Sequence, residues 1–270
     1  MIICDFHTHT KYSFDGFMEV DELCEKAIEI GIEYLSITDH YEMDGIIYDF
    51  YAPYSADEAK NKIMNAKEKY NKRLKLTYGI ELGQAVYFKD EAKKFLDRYN
   101  FEFVIGSIHA LKDVPDFCYM RYDWLPKELS NILWGRLLDE MYNLVLFGNI
   151  HALGHFTYPT RYMMKYGFKL EFKNYYDKII QIFKKIIEKG ICLEVNTSGM
   201  RQELNDSMPN PELLKIYKEL GGKLITCGSD AHKAEHLGMD IDIAYKMLSD
   251  LGFKYVTVFH DGKQVHIKIP

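Results

Sequence analysis

The chain has 270 residues, a length at which an α/β barrel commonly forms one domain. With 47% hydrophobic and 27% charged residues, it has the composition of an ordinary globular protein. The formal net charge of −6 argues against a general affinity for nucleic acid or for an anionic membrane, but it does not exclude a local cationic site for a small anion.

The N-terminus and the cysteines predict a cytoplasmic protein. The first residues lack the basic region and long apolar run of a signal peptide, and the chain has no run of about 18 apolar residues that could cross a membrane. The five cysteines form no CxxC pair and their number is odd, which is typical of free thiols in a reducing compartment.

Short apolar runs alternate with segments of helical periodicity along the whole chain. Seven such pairs predict a parallel sheet, most simply one that closes into a barrel. The predicted strands are residues 2–6, 34–38, 76–82, 103–107, 150–154, 191–196 and 223–228. The predicted helices are residues 20–30, 56–71, 90–99, 130–147, 172–189, 211–220 and 241–251.

Three connecting features bear on the organisation of the chain. No Pro/Ser-rich linker interrupts the alternation, so we expect a single domain over residues 1–270. Residues 112–130 form a longer and less regular connection, which suggests a loop over the active site. The tail, residues 255–270, predicts an additional hairpin that turns at Asp261 and Gly262.

Nearly every predicted strand ends in a histidine or a carboxylate. His7 and His9 project together after the first strand, because residues i and i+2 of a strand point to the same side. Asp230 and His232 have the same spacing after the last strand, which is the neighbour of the first in a closed barrel. Functional residues of βα barrels collect at these strand ends. The candidates are His7, His9, Asp15, His40, Glu81, His109, His155, Asp230 and His232.

This residue set predicts a metal site. Imidazole and carboxylate groups without a thiolate suit zinc, iron or manganese. One ion with an open coordination position needs about three protein ligands, so these candidates suffice for about three divalent ions. Glu81 is the expected bridge between two ions, because a carboxylate offers two oxygens. Asp5 and Asp39 are expected to orient ligand imidazoles from behind.

The strand-end motifs resemble those of the PHP (polymerase and histidinol phosphatase) superfamily, and most closely its histidinol-phosphate phosphatases. The motifs are "DFHTHT", "ITDHYE", "GSIHAL" and "GSDAHKAEHLG", with "GIELG" and "GHF" in the expected order between them. The resemblance covers the whole chain. It implies a distorted seven-stranded (β/α) TIM-like barrel, with a trinuclear metal site at the C-terminal ends of the strands.

The resemblance also implies how the ligands divide among the ions. His7, His9, Glu81 and Asp230 would hold the first ion, and Glu81, His109 and His155 would hold the second. Asp15, His40 and His232 would hold the third. Some relatives have a histidine where this chain has Asp15, so the identity of the third ion stays open.

The implied activity is a metal-dependent phosphomonoesterase that hydrolyses L-histidinol phosphate to L-histidinol and phosphate in histidine biosynthesis. Two ions about 3.5–4 Å apart can lower the pKa of a bridging water, and the resulting hydroxide would attack phosphorus in line. Glu81, Asp15 and His232 are the candidate catalytic residues. Arg161 and Arg201 are the candidate phosphate-binding residues, because guanidinium groups bind phosphate through paired hydrogen bonds and the family has phosphate-binding arginines at these two places.

Three other functions stay open. A phosphoesterase on the same scaffold could act on another small phosphate ester or on a nucleotide. A polymerase-associated exonuclease would need a basic groove, which a chain of net charge −6 without a Lys/Arg cluster at the strand ends does not indicate. A catalytically silent binding barrel disagrees with the complete ligand set. The expected partner is therefore a small phosphorylated substrate, with no nucleic acid and no membrane.

Overall fold

The computed structural model describes residues 4–47 and 54–270. Residues 2 and 3 of the first predicted strand therefore lie outside the described residues. Hydrogen bonding connects the strands of the main sheet in the order β1-β2-β4-β5-β6-β7-β8, and β3 pairs with the end of β4. The parallel strands are β1 (Cys4–Asp5), β2 (Tyr34–Ile37), β3 (His40–Glu42), β4 (Lys75–Gly83), β5 (Phe103–Ser107), β6 (Ala152–Leu153), β7 (Cys192–Asn196) and β8 (Ile225–Gly228).

The sheet curves until its two outer strands meet. The Phe6 N–H donates to Cys227 O at 2.9 Å, and the Asp230 N–H donates to His7 O at 2.8 Å. β1 and β8 thus lie side by side, as expected for the first and last strands of a barrel. The predicted fold is confirmed: seven of the parallel strands, all except β3, form a nearly closed, distorted barrel with helices around it.

The helices cover the outside of the barrel with amphipathic faces. In α7, for example, Ile179, Ile182, Phe183 and Ile186 recur at the helical period and are buried. The helices are α1 (Val20–Glu29), α2 (Met43–Ile47), α3 (Ala56–Tyr70), α4 (Lys89–Tyr99), α5 (Lys127–Phe147), α6 (Thr160–Lys165), α7 (Tyr176–Lys189), α8 (Pro211–Glu219) and α9 (Ile241–Asp250). Each predicted helix is present, although residues 172–175 form a 3-10 turn before α7. Among the described residues, we find no helix with the length and apolar character needed to cross a membrane.

Three short elements were not predicted from the sequence. β3, α2 and α6 have three, five and six residues, which is too short for a period of 2.0 or 3.6 to be recognised. β3 exists because it pairs in parallel with the end of β4, where His40 lies opposite Glu81. This extra pairing matters for the site, because it carries one predicted ligand directly beside another.

The C-terminal residues form the predicted hairpin, β9 (Tyr255–His260) and β10 (Lys263–Lys268), in antiparallel register. Its turn residues Asp261 and Gly262 both have positive φ angles, 50° and 68°, as a tight hairpin turn requires. Thr77 Oγ1 donates to Phe259 O at 2.5 Å, and the Phe259 ring lies 5.0 Å from that of Phe103. The hairpin therefore covers the N-terminal end of the barrel, opposite the predicted site.

Candidate metal centre

The nine predicted side chains come together at the C-terminal end of the barrel. Each lies within 3.8 Å of at least one other through an imidazole nitrogen and a carboxylate oxygen. Most are fully buried, whereas the side chains of Asp15 and His232 are 42% and 23% exposed and form the rim. We call the nine residues the strand-end cluster.

The junction of β1 and β8 places His7 and His9 beside Asp230 and His232. The His9 N–H donates to Ala231 O at 2.9 Å, in parallel register with Thr8 opposite Ala231. A Cβ at Gly228 would lie 2.3 Å from the Cβ of His7, so only glycine allows this close approach. Asp230 adopts a left-handed conformation, with φ 55°, two residues after the end of β8.

Glu81 lies at the centre of the cluster and its two oxygens face different histidines. Oε1 lies 2.8 Å from His155 Nε2 and 3.2 Å from His109 Nε2. Oε2 lies 3.0 Å from both His7 Nε2 and His40 Nδ1. Burial alone would raise the pKa of Glu81, but His7, His40 and His109 hold it well below its usual range. The carboxylate is therefore ionised and faces two separate groups of nitrogen atoms.

Asp15 reaches the cluster from the loop after β1. Its Oδ2 lies 3.2 Å from His232 Nε2, and its Oδ1 lies 3.7 Å from His40 Nε2. The loop is tight: a Cβ at Gly16 would lie 1.9 Å from Thr10 O. Gly16 is needed here because its main chain lies close to the main chain of Thr10, and it does not have a positive φ angle.

Hydrogen bonds on the far side of the rings orient two of the imidazoles. His7 Nδ1 lies 2.5 Å from Glu194 Oε1, and His9 Nδ1 lies 3.0 Å from Ser13 Oγ, which donates to Asp39 Oδ1. With a proton on Nδ1, each ring presents the lone pair of Nε2 to the cluster. Asp39 thus orients His9 through Ser13.

Sequence reasoning missed Glu194 and misjudged Asp5. Glu194 also accepts from the His155 N–H at 2.5 Å, although the motif analysis did not include it. A carboxylate inside the predicted strand 191–196 was the available signal, because a buried charge needs a partner. Asp5 accepts from the main chain and hydroxyl of Ser229 and from the Gly238 N–H, and so fixes the β8 loop rather than an imidazole ring.

The donor atoms fit a metal ion. His7 Nε2, His9 Nε2, His40 Nδ1 and Glu81 Oε2 are buried and have no hydrogen-bond partner. Unsatisfied buried polar atoms are costly in a folded protein, and bound cations would use the lone pairs of these atoms. Within the described residues, His7, His9 and Asp230 form one group able to hold an ion, and His7, Glu81 and His155 form another.

A cavity of about 430 Å³ opens above the cluster. Arg161 lines it, with its guanidinium 4.6 Å from the ring centre of Tyr158 and 4.8 Å from that of Tyr162. Its Nη1 donates to Ser198 Oγ at 2.9 Å and lies 3.4 Å from Asp230 Oδ2, while its Nε is buried without a partner. A cationic group is therefore fixed beside the carboxylate of a predicted ligand.

Arg201 lies in a different environment. Its Nη1 and Nη2 donate to the main-chain oxygens of Ser229 and Asp230 at 2.7 and 3.0 Å. It is not among the described residues that line the cavity. Its guanidinium braces the loop that carries Asp230 and His232.

The connection before α5 borders the cavity, as expected of a loop over the site. Asp116, Cys118 and Tyr119 line one wall, and Tyr158 OH donates to Asp116 Oδ1 at 3.1 Å. The connection is shorter than predicted, since α5 begins at Lys127.

Comparison with known proteins gives concordant results. The PHP domain model matches residues 5–198. A probable histidinol-phosphatase of Thermotoga maritima is 30% identical over 272 residues, with 97% of each chain covered. The histidinol-phosphatase of Lactococcus lactis is 27% identical and covers 96% of this chain and 95% of its own.

The fold has a similar counterpart among solved structures. A crystal structure of the Lactococcus lactis histidinol phosphate phosphatase, in complex with zinc, L-histidinol and phosphate, superposes with a TM-score of 0.82 at 25% identity and covers 98% of this chain and 99% of its own. A crystal structure from Listeria monocytogenes, at 19% identity and a TM-score of 0.76, shares the fold. Because the family model spans more than half of the 270 residues, this chain belongs to the PHP domain family.

Proposed function

We propose that this protein is a metal-dependent phosphomonoesterase that hydrolyses L-histidinol phosphate to L-histidinol and phosphate. The observation that carries the proposal is the joint presence, in one cavity, of a carboxylate-centred histidine cluster and a fixed arginine. The full-length similarity to histidinol-phosphatases supports the choice of substrate. Such an enzyme would act in histidine biosynthesis, and we propose a cytoplasmic location for it.

The strand-end cluster would hold about three divalent ions. His7, His9, Glu81 and Asp230 would hold the first, and Glu81, His109 and His155 the second. Asp15, His40 and His232 would hold the third. The division is supported by Glu81, whose Oε2 faces His7 while its Oε1 faces His155. Zinc is the best-supported metal, since it is present in the Lactococcus lactis structure.

Such ions supply a nucleophile at neutral pH and neutralise charge on a phosphoryl group. The protein's own residues would supply position and charge. Glu81 would fix the spacing of two ions, because its oxygens belong to one rigid carboxylate. Asp15 and His232, at the partly exposed rim, are proposed as catalytic residues on the side where the alcohol product leaves.

Arg161 would bind the phosphate of the substrate. The rings of Tyr158 and Tyr162 hold its guanidinium in place, and Ser198 accepts from Nη1. A guanidinium fixed in this way loses little freedom when an anion binds. Arg201 is proposed as a second phosphate-binding residue, although its two terminal nitrogens already bind main-chain oxygens.

A panel of phosphate esters tests the proposal. Protein reconstituted with zinc or manganese should hydrolyse L-histidinol phosphate with a higher kcat/KM than sugar phosphates or nucleoside monophosphates, and phosphodiesters should be poor substrates. The release of inorganic phosphate is the measurement. A higher kcat/KM for a nucleotide or sugar phosphate would show that L-histidinol phosphate is not the preferred substrate. Absence of any hydrolysis by the metal-loaded protein would reject the phosphomonoesterase function.

A further inference from the structure

Glu42 is a buried carboxylate beside the strand-end cluster that the predicted ligand set does not include. Its side chain is 3% exposed, and its Oε1 lies 2.8 Å from His109 Nδ1 and 3.2 Å from His40 Nδ1. The other nitrogen of the His109 ring, Nε2, points to Glu81 Oε1 at 3.2 Å. Glu42 thus lies behind the His109 ring, on the side away from Glu81.

The neighbouring strand leaves room for this carboxylate. Glu42 in β3 lies directly opposite Gly83 in β4. A Cβ at Gly83 would lie 1.9 Å from Glu42 Oε2 and 2.4 Å from its carboxyl carbon. Any other residue at position 83 would force the carboxylate away from His109.

Gln84 holds the other oxygen of Glu42. Its Nε2 donates to Glu42 Oε2 at 2.6 Å and to Asp44 Oδ1 at 2.9 Å, and its Oε1 accepts from the His109 N–H at 3.1 Å. Both hydrogens and the oxygen of the carboxamide are therefore used. One side chain connects the main chain of His109 to the carboxylate that binds its ring.

The main chain of Gln84 is strained. Its φ of 55° and ψ of 23° lie in the left-handed region, which residues other than glycine, asparagine and aspartate adopt infrequently. Such conformations persist where the surroundings impose them, and they cluster at functional sites. Here the conformation directs a buried carboxamide towards Glu42 and His109.

We propose that Glu42 and Gln84 are positioning residues that keep the proton of His109 on Nδ1 and aim its Nε2 at the metal position beside Glu81. The inference rests on the proposed metal-dependent function. Partners that orient a ligand imidazole raise its basicity, and their loss costs about 10- to 100-fold in metal affinity.

Metal binding by purified variants tests the inference without reference to any substrate. Glu42→Gln removes the charge behind His109. Gln84→Gly removes the carboxamide but retains the backbone conformation, which glycine adopts without strain. We expect both variants to bind zinc about 10- to 100-fold more weakly in competition with a chromogenic chelator. With Co²⁺, both should show altered visible absorption, because the geometry at His109 changes.

Two matched controls isolate the effect. Glu91→Gln removes an exposed charge, and Asn100→Gly makes the same backbone change at another residue of positive φ, 50°, that is exposed. Both should bind zinc like the wild type, and circular dichroism should show all four variants folded. Wild-type zinc affinity and wild-type Co²⁺ spectra in Glu42→Gln and Gln84→Gly would overturn the inference, as would an equal loss in the controls. Zinc affinity and Co²⁺ absorption do not depend on which phosphate ester is hydrolysed. An error in the proposed substrate would therefore appear in the ester panel and not in this experiment.

Discussion

Glu81 is the residue on which the proposed site depends most. Its buried carboxylate lies between two groups of histidines, with one oxygen facing each group. Glu81→Gln keeps the size of the side chain but removes the charge and one of the two anionic oxygens. Loss of a residue that only orients a metal ligand costs up to about 100-fold in activity. We expect Glu81→Gln to lower kcat by more than this, and to lower the zinc content per chain as well.

The matched control for Glu81 is His151, a histidine outside the strand-end cluster. Its Nδ1 accepts from the Val104 N–H at 2.9 Å, near the covered end of the barrel. His151→Asn retains an acceptor at a similar position and should leave kcat and zinc content unchanged. Equal losses in the two variants would mean that the cluster has been assigned wrongly.

Arg161 provides a second test at the scale of one residue. Loss of one partner of a desolvated charge pair costs about 2–5 kcal/mol, so Arg161→Ala should lower kcat/KM for a phosphate monoester by about 30-fold to several thousand-fold. Arg161→Lys should recover part of this, because lysine cannot form the paired hydrogen bonds. Metal content, measured by elemental analysis, should stay at the wild-type value.

Arg201→Ala should have a smaller effect than Arg161→Ala. Its guanidinium nitrogens bind the main-chain oxygens of Ser229 and Asp230, so its removal would loosen the loop that carries Asp230. It would not change the described lining of the cavity. Near-normal kcat/KM in both alanine variants would place the phosphate elsewhere in the cavity.

The residues that sequence analysis found and those it missed differ in one physical respect. His7 and His9 carry their spacing in the chain itself, because residues i and i+2 of an extended segment share a face. Glu42 and Glu194 act from behind the rings on histidines that are distant in sequence. Their partners follow from which strands become neighbours, and no local pattern encodes that.

At the scale of elements, amphipathic helices and the hairpin were predictable, whereas the strand limits were not. β6 contains two residues, although the predicted strand covers residues 150–154. A β-ladder ends where a neighbouring strand ceases to offer a partner, and this depends on the distortion of the whole barrel. β3 was missed for the same reason, since its three residues form a strand through their pairing with β4.

His151, which directly precedes β6, is expected to make stability depend on pH. Burial lowers the pKa of His151, whose neutral Nδ1 accepts from Val104 and whose ring lies 5.0 Å from that of Phe259. The unfolded chain binds a proton there below about pH 6.5 while the folded chain does not. Its contribution to stability is therefore present above this pH and is lost as the pH falls towards the lower folded pKa.

His151→Asn should remove this contribution to the pH dependence. We expect the urea midpoint of the wild type to fall more steeply than that of the variant between about pH 7 and pH 5, measured on metal-free protein. All other residues are the same in the two proteins, so the difference between the two curves isolates His151. Parallel curves would show that His151 has the same pKa in the folded and unfolded states.

At the scale of the whole molecule, the strand-end cluster draws its side chains from six strands or the loops that follow them. Several of its buried atoms, such as His7 Nε2 and Glu81 Oε2, lack hydrogen-bond partners, so the fold carries a cost that bound cations would remove. The main sheet also joins β1, near the start of the chain, to β8 through the His7–Asp230 contact. We therefore propose one domain over residues 1–270 that unfolds in one step.

Removal of the metal should abolish hydrolysis and destabilise that whole unit. An ion that binds only the folded chain adds about 2.7 kcal/mol at 100 times its dissociation constant, so three ions would add about 8 kcal/mol. Chelated protein should therefore melt at a lower temperature in a single transition, and the midpoint should rise with the concentration of added zinc. A midpoint that is independent of zinc would show that the cluster binds no ion in the folded state. Two separate transitions, with only one of them responding to zinc, would show that the strand-end cluster belongs to a smaller folding unit than the 270 residues.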